Sequence, residues 1–131
     1  MKCPCQSGLS YLECCNEYHS GKILPENALQ LMRSRYSAYA VHNPDYIIET
    51  THPENLSFST DIEAWKKSIL EFCKKTDFRG LKIHEFVEGN EEAFVTFHAH
   101  LQQKNKDISF EETSRFIRIK QQWLYHSGNI H

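Results

Sequence analysis

No run of about 18 apolar residues occurs in the chain, so no membrane-crossing helix is expected. The start, Met1-Lys2-Cys3-Pro4-Cys5, is followed by no apolar stretch, so no secretory signal is expected either. Phosphate-binding loops, the dinucleotide fingerprint and the Gly-x-Ser-x-Gly elbow are missing, which leaves kinase, NTPase and α/β-hydrolase readings without support. No Cys-x-x-Cys pair is present to suggest thioredoxin-like redox chemistry. Charge of neither sign dominates: 15 Lys and Arg stand against 17 Asp and Glu, for a net charge of −2. Non-specific coating of nucleic acid needs a basic surface, so nucleic acid is not an expected partner. Internal repeats and low-complexity segments are also lacking.

What is present suits one domain with a small appendage: 131 residues, 40% of them hydrophobic and 24% charged. Eight Phe, six Tyr and two Trp supply large side chains for a core. The expected location is the cytoplasm, where thiols stay reduced, so the five cysteines need an explanation other than disulfides. Four of them fall between positions 3 and 15, and Cys73 stands alone.

Three textures divide the chain. Residues 1–22 are cysteine-rich, residues 23–76 read as helical, and residues 79–127 read as strands. A first helix is expected from near Pro25, with Leu29, Met32, Tyr36, Tyr39 and Ala40 on one apolar face and Asn43-Pro44 as its stop. Asp45–Ile48 reads as a short helix or turn, followed by the loop Thr51-His52-Pro53-Glu54-Asn55. Thr60 with Glu63 matches a capping box, which predicts a helix from Thr60. Ile62, Trp65, Ile69, Phe72 and Cys73 share one face of it, so Cys73 is expected in the core. Asp77 and Gly80 are expected to bracket its exit. Strict alternation then places Ala93, Val95, Phe97, Ala99 and Leu101 on one strand face, and Phe94, Thr96, His98 and His100 on the other. Further strands are expected at Leu81–Val87, Ile108–Lys120 and Trp123–His126, joined by short turns. Helices first and an antiparallel meander afterwards imply an α+β fold with the helices on one face of the sheet.

Cys3-x-Cys5 and Cys14-Cys15 offer four soft ligands within a short segment. Tetrahedral thiolate sets suit zinc, and four protein ligands leave no open position for catalysis. One structural zinc ion held by Cys3, Cys5, Cys14 and Cys15 is therefore expected, with metal binding supplying much of the segment's folding free energy. Gly8 can take a positive φ in the intervening loop. Free thiols are the competing reading, and His19 is an alternative ligand to Cys15.

The stretch Cys3-Pro-Cys5-Gln-Ser7-Gly8-Leu-Ser-Tyr11-Leu-Glu-Cys14-Cys15 resembles the SEC-C motif, the zinc knuckle at the C-terminus of the SecA translocase ATPase. Leu31-Met32-Arg33-Ser34-Arg35-Tyr36-Ser37-Ala38-Tyr39, Asp45-Tyr46, Thr51-His52-Pro53, Glu112-Thr113-Ser114-Arg115-Phe116 and Trp123-Leu124-Tyr125 add to it. Together they resemble the YchJ-like family of uncharacterised bacterial proteins over nearly the whole chain. The resemblance implies a SEC-C knuckle over 1–22 and, over 23–131, an NTF2-like (cystatin-like) cone of helices packed on a curved antiparallel sheet. It also implies the dimerisation through the open sheet face that such domains often show, and it implies no particular reaction.

NTF2-like cones often enclose a pocket, and some relatives work by acid–base catalysis. The candidate groups are His52, Arg33, Arg35, Glu112 and Arg115. Glu112 and Arg115 lie three apart on a strand, so only one can face inward. Arg33 is expected to reach in and pair with Glu112, holding helix to sheet. His52 is a loop histidine and a candidate base. His98 and His100 share a face but make only two ligands. Trp65, Trp123, Tyr36 and Tyr39 sit at core spacing and read as packing rather than as a stacking platform for bases. Two functions remain. The first is a cytosolic module, not an enzyme, that binds a protein or small-molecule ligand. The second is a small-molecule enzyme of the isomerase or dehydratase type, with His52 or Glu112 as acid/base.

Overall fold

A computed structural model describes all of residues 1–131. The cysteine-rich segment forms a knuckle made of a 3-10 turn, Tyr11–Glu13, and a short helix, α1 (Cys15–His19). Gly8 takes φ +88°, as its loop requires.

Helix α2 spans Ala28–Ala40. It starts three residues after Pro25 because Asn27 is the better cap: its side chain accepts a hydrogen bond from the Gln30 N–H at 2.9 Å. The chain turns at His42, with φ 60°, and Asn43 caps the next helix, α3 (Pro44–Glu49), with Pro44 in its first turn. Asn43-Pro44 is thus a start as well as a stop. Helix α4 covers Ile62–Lys74. Its cap is Asp61, whose carboxylate accepts from the Ala64 N–H at 3.1 Å, so the capping box expected from Thr60 and Glu63 does not form. Glu63 still favours the start of α4 as an acid in its first turn.

Five strands follow: β1 (Asp77–Val87), β2 (Glu92–Gln103), β3 (Lys106–Asp107), β4 (Phe110–Ile119) and β5 (Gln122–Ile130). The sheet order is β1-β2-β4-β5, antiparallel throughout, with the short β3 paired to β2. Asp77 and Gly80 lie inside β1 instead of marking a helix exit. The register shifts between Phe78 and Gly80, and the Tyr36 hydroxyl fills the irregularity. It donates to the Gly80 carbonyl at 2.9 Å and accepts from the Gly80 N–H at 3.1 Å. The ladder survives because its displaced backbone groups are satisfied. β5 runs on past His126 to Ile130.

Ala93, Val95, Phe97, Ala99 and Leu101 are all buried, as their alternation predicts. They meet α2 and α4 in a core that includes Leu31, Trp65, Ile69, Cys73, Phe116 and Trp123. The fold is α+β, with helices on one face of a curved antiparallel sheet.

Two caps one residue apart give opposite expectations. Asp61→Ala should cost about 1 kcal/mol in a urea titration, whereas Thr60→Ala should leave the midpoint almost unmoved. The reverse order would restore the Thr60 capping box.

The cysteine knuckle and the cone cavity

The four knuckle cysteines bring their sulfurs within 4.8 Å of one another. Cys5 Sγ lies 3.7 Å from Cys14 Sγ, and Cys14 Sγ lies 4.0 Å from Cys15 Sγ. A tetrahedral zinc ion with ligands at about 2.3 Å requires sulfurs about 3.8 Å apart, so the donor set fits such an ion. Cys3, Cys5 and Cys15 are buried and Cys14 is half-buried. The hydrogen bond with Cys15 pushes the Cys5 thiol down to about 4, and the same contact pushes Cys15 up. A thiolate is therefore favoured within the cluster, and thiolate is the form a metal binds.

His19 lies outside this set. Its two ring nitrogens are within hydrogen-bonding distance of the Tyr11 hydroxyl, at 2.6 Å, and the Ser34 carbonyl, at 2.8 Å. Burial pushes its pKa down, which favours the neutral ring that can accept from Tyr11 and donate to Ser34. His19 thus joins the knuckle to α2. Arg33 does the same, donating from Nη1 to the Cys5 carbonyl at 2.7 Å. The expected Arg33–Glu112 pair is absent, because two residues along a helix turn a side chain to nearly the opposite face. Arg35 faces the cone in its place.

Inside the cone lies a cavity of about 670 Å³. Its walls are mostly apolar, with Trp65, Ile69 and Phe72 from α4 and Phe97, Phe110 and Phe116 from the sheet. Arg35, Glu112, Ser114 and Tyr125 supply the polar part of the lining. Glu112 Oε2 accepts from the Tyr125 hydroxyl at 3.0 Å and from the Ser114 hydroxyl. Gly128 permits this arrangement: a Cβ there would fall on the Glu112 carboxylate and within 2.7 Å of the Tyr125 oxygen. Burial, reinforced by Glu112, pushes the Tyr125 phenol far above its ordinary value, so it remains a donor. Arg35 Nη1 donates to the Ile47 carbonyl at 3.0 Å, Thr50 Oγ1 at 2.8 Å and Thr51 Oγ1 at 3.2 Å. Its guanidinium carbon sits 4.7 Å above the centre of the Tyr125 ring, a cation–π contact.

Of the remaining candidates, Arg115 faces away from the cavity and pairs with Glu92. His52 is buried but does not line the cavity. Its N–H donates to the Tyr125 carbonyl at 2.9 Å, and its Nδ1 accepts from the Glu54 N–H at 2.9 Å. Glu54 in turn meets His126 Nε2 at 3.0 Å, so the three groups close on one another and staple the loop to β5. His98 and His100 stand 6.2 Å apart, ring centre to ring centre, on the other sheet face. Tyr125 and Ser114 were not singled out from sequence as site residues. Ser114 shares the Glu112 face of β4 by simple alternation, whereas the proximity of Tyr125 depends on the β4–β5 register, which no local pattern reveals.

Residues 27–128 match the family described as YchJ, middle NTF2-like domain. A UPF0225 protein of Serratia proteamaculans is 41% identical over 130 residues, covering 96% of this chain and 81% of that protein. A SEC-C motif containing protein from Rhodopseudomonas palustris has a solved structure similar at a TM-score of 0.84, with 29% identity over 98% of both chains. Another, from Psychrobacter arcticus, gives a TM-score of 0.80 with 28% identity, covering 98% of this chain and 82% of that one. The chain belongs to the UPF0225 family, the YchJ-like proteins in which a SEC-C cysteine cluster precedes an NTF2-like domain.

Proposed function

We propose that this protein is a cytosolic ligand-binding module whose cone takes up a small, mostly apolar molecule. In this reading the knuckle holds one structural zinc ion and braces the helix that forms one wall of the cavity. The observation that carries it is the cavity: about 670 Å³, lined largely by apolar side chains, with a few polar groups gathered on its wall. Small-molecule sites share that construction. The open interior favours a small ligand over a protein partner. The knuckle supports the structural role, since four cysteines leave no free coordination position for a substrate.

A second reading, acid–base catalysis in the same cavity, is favoured by one observation. Glu112 uses only Oε2 in its hydrogen bonds, which leaves Oε1 without a partner. His52 lies outside the cavity and takes no part in that reading.

Elemental analysis tests the knuckle. One zinc per chain is expected in freshly reduced protein, and none in a Cys14→Ser/Cys15→Ser variant. Absence of zinc from the wild type contradicts the structural role. The cavity is tested by titrating a neutral naphthalene-type fluorophore. Saturable binding at one site per chain is expected. Ala64→Trp, at an exposed position on the cavity's α4 side, should abolish it while stability changes by no more than about 0.5 kcal/mol. Wild-type protein that shows no saturable binding, or binding indifferent to the new indole, would overturn the reading.

A further inference from the structure

We propose that Arg35 is a carboxylate anchor, and that the ligand is an amphipathic acid with an apolar body. This rests on the reading of the cone as a small-ligand site. Arg35 is 8% exposed and has no carboxylate within 4.0 Å of its nitrogens. All three of its hydrogen bonds leave from Nη1, so Nε and Nη2 have no acceptor in the protein. Those two groups are not sealed in. Trp123 Nε1 is the one fully enclosed side-chain polar atom without a partner, and Arg35 lines the cavity. A guanidinium carries five N–H donors in a fixed fork, and a buried cation is costly until an anion pairs with it.

Glu112 does not supply that anion. Its Oε2 is taken by Tyr125 and Ser114, and it makes no ion pair with Arg35. Tyr125 contacts both groups, with Arg35 against its ring face and Glu112 on its hydroxyl. The same ring, together with the three Nη1 contacts, fixes the plane of the guanidinium. The Nε/Nη2 edge is thereby held ready for a bidentate carboxylate, the geometry in which arginine binds most specifically. Glu112 Oε1, from the sheet side of the same cavity, accepts a hydroxyl or ammonium carried by the ligand. The aromatic and aliphatic walls take the body of the molecule.

Hydrocinnamate and its primary amide, which differ only in charge and donor pattern at the head, are the probes. Their binding to full-length, metal-loaded protein is measured by isothermal calorimetry, beside the neutral naphthalene fluorophore. The acid is expected to bind about tenfold or more tightly than the amide. Phenyllactate or phenylalanine is expected to exceed hydrocinnamate, and the stronger of the two identifies the donor that Glu112 takes. Arg35→Gln, which removes the charge, should lose the preference for acid over amide. Because Arg35 also holds the end of α3, the acid–amide comparison on wild-type protein decides the matter if that variant does not fold. Equal binding of acid and amide, with the fluorophore bound, overturns the carboxylate anchor and leaves the cavity reading standing. Failure of acid, amide and fluorophore together overturns both.

Discussion

Helix α2 is buried on two sides, and the rest of the molecule is arranged around the need to satisfy what it buries. One side meets the sheet through Leu31, Met32 and Tyr36, while the knuckle lies against Arg33, Ser34 and Ser37. Ser34 and Ser37 are both fully buried, which would be costly for unpaired hydroxyls. Ser34 bonds to Tyr46 at 2.7 Å, and Ser37 meets Cys3 Sγ at 3.3 Å. Burial pushes the Tyr46 phenol up to about 12, so it keeps its proton through neutral pH. The knuckle thus satisfies Ser37 and Arg33 of α2, and Tyr46 of α3 satisfies Ser34.

The same helix delivers Arg35 to the cone. Because Arg33 and Arg35 point to opposite sides, one arginine ties the helix to the knuckle and the other ties it to α3 and Tyr125. The knuckle and cavity are thus joined through one rigid element.

The parts of this organisation legible in the sequence were those carried by local pattern. The alternation in β2, the α4 stripe from Trp65 to Cys73 and the cysteine spacing all describe features seen in the structure, while Ile62 at the start of that stripe is exposed. What was not legible depends on contacts between distant segments. Thr60 and Asp61 are both good caps one position apart, and only the helix start distinguishes them. The burial of Ser34 and Ser37 is not legible, because nothing local reveals that Tyr46 and the knuckle cover them. The expected inward arginine is Arg33, at the edge of the helix's apolar stripe, whereas the structure turns Arg33 to the knuckle and Arg35 to the cone. Gly80 looked like punctuation, since its bulge is satisfied by Tyr36, more than forty residues earlier. The grouping of Glu112 and Ser114 with Tyr125 and Gly128 arises from the β4–β5 register.

The central claim, that a metal-held knuckle stabilises α2 and with it the cavity wall, is tested most directly by amide hydrogen exchange before and after chelation. Loss of protection at residues 28–40 as well as 1–22, with β2 and β4 still protected, is the predicted result. Loss confined to residues 1–22, with α2 unchanged, would contradict it.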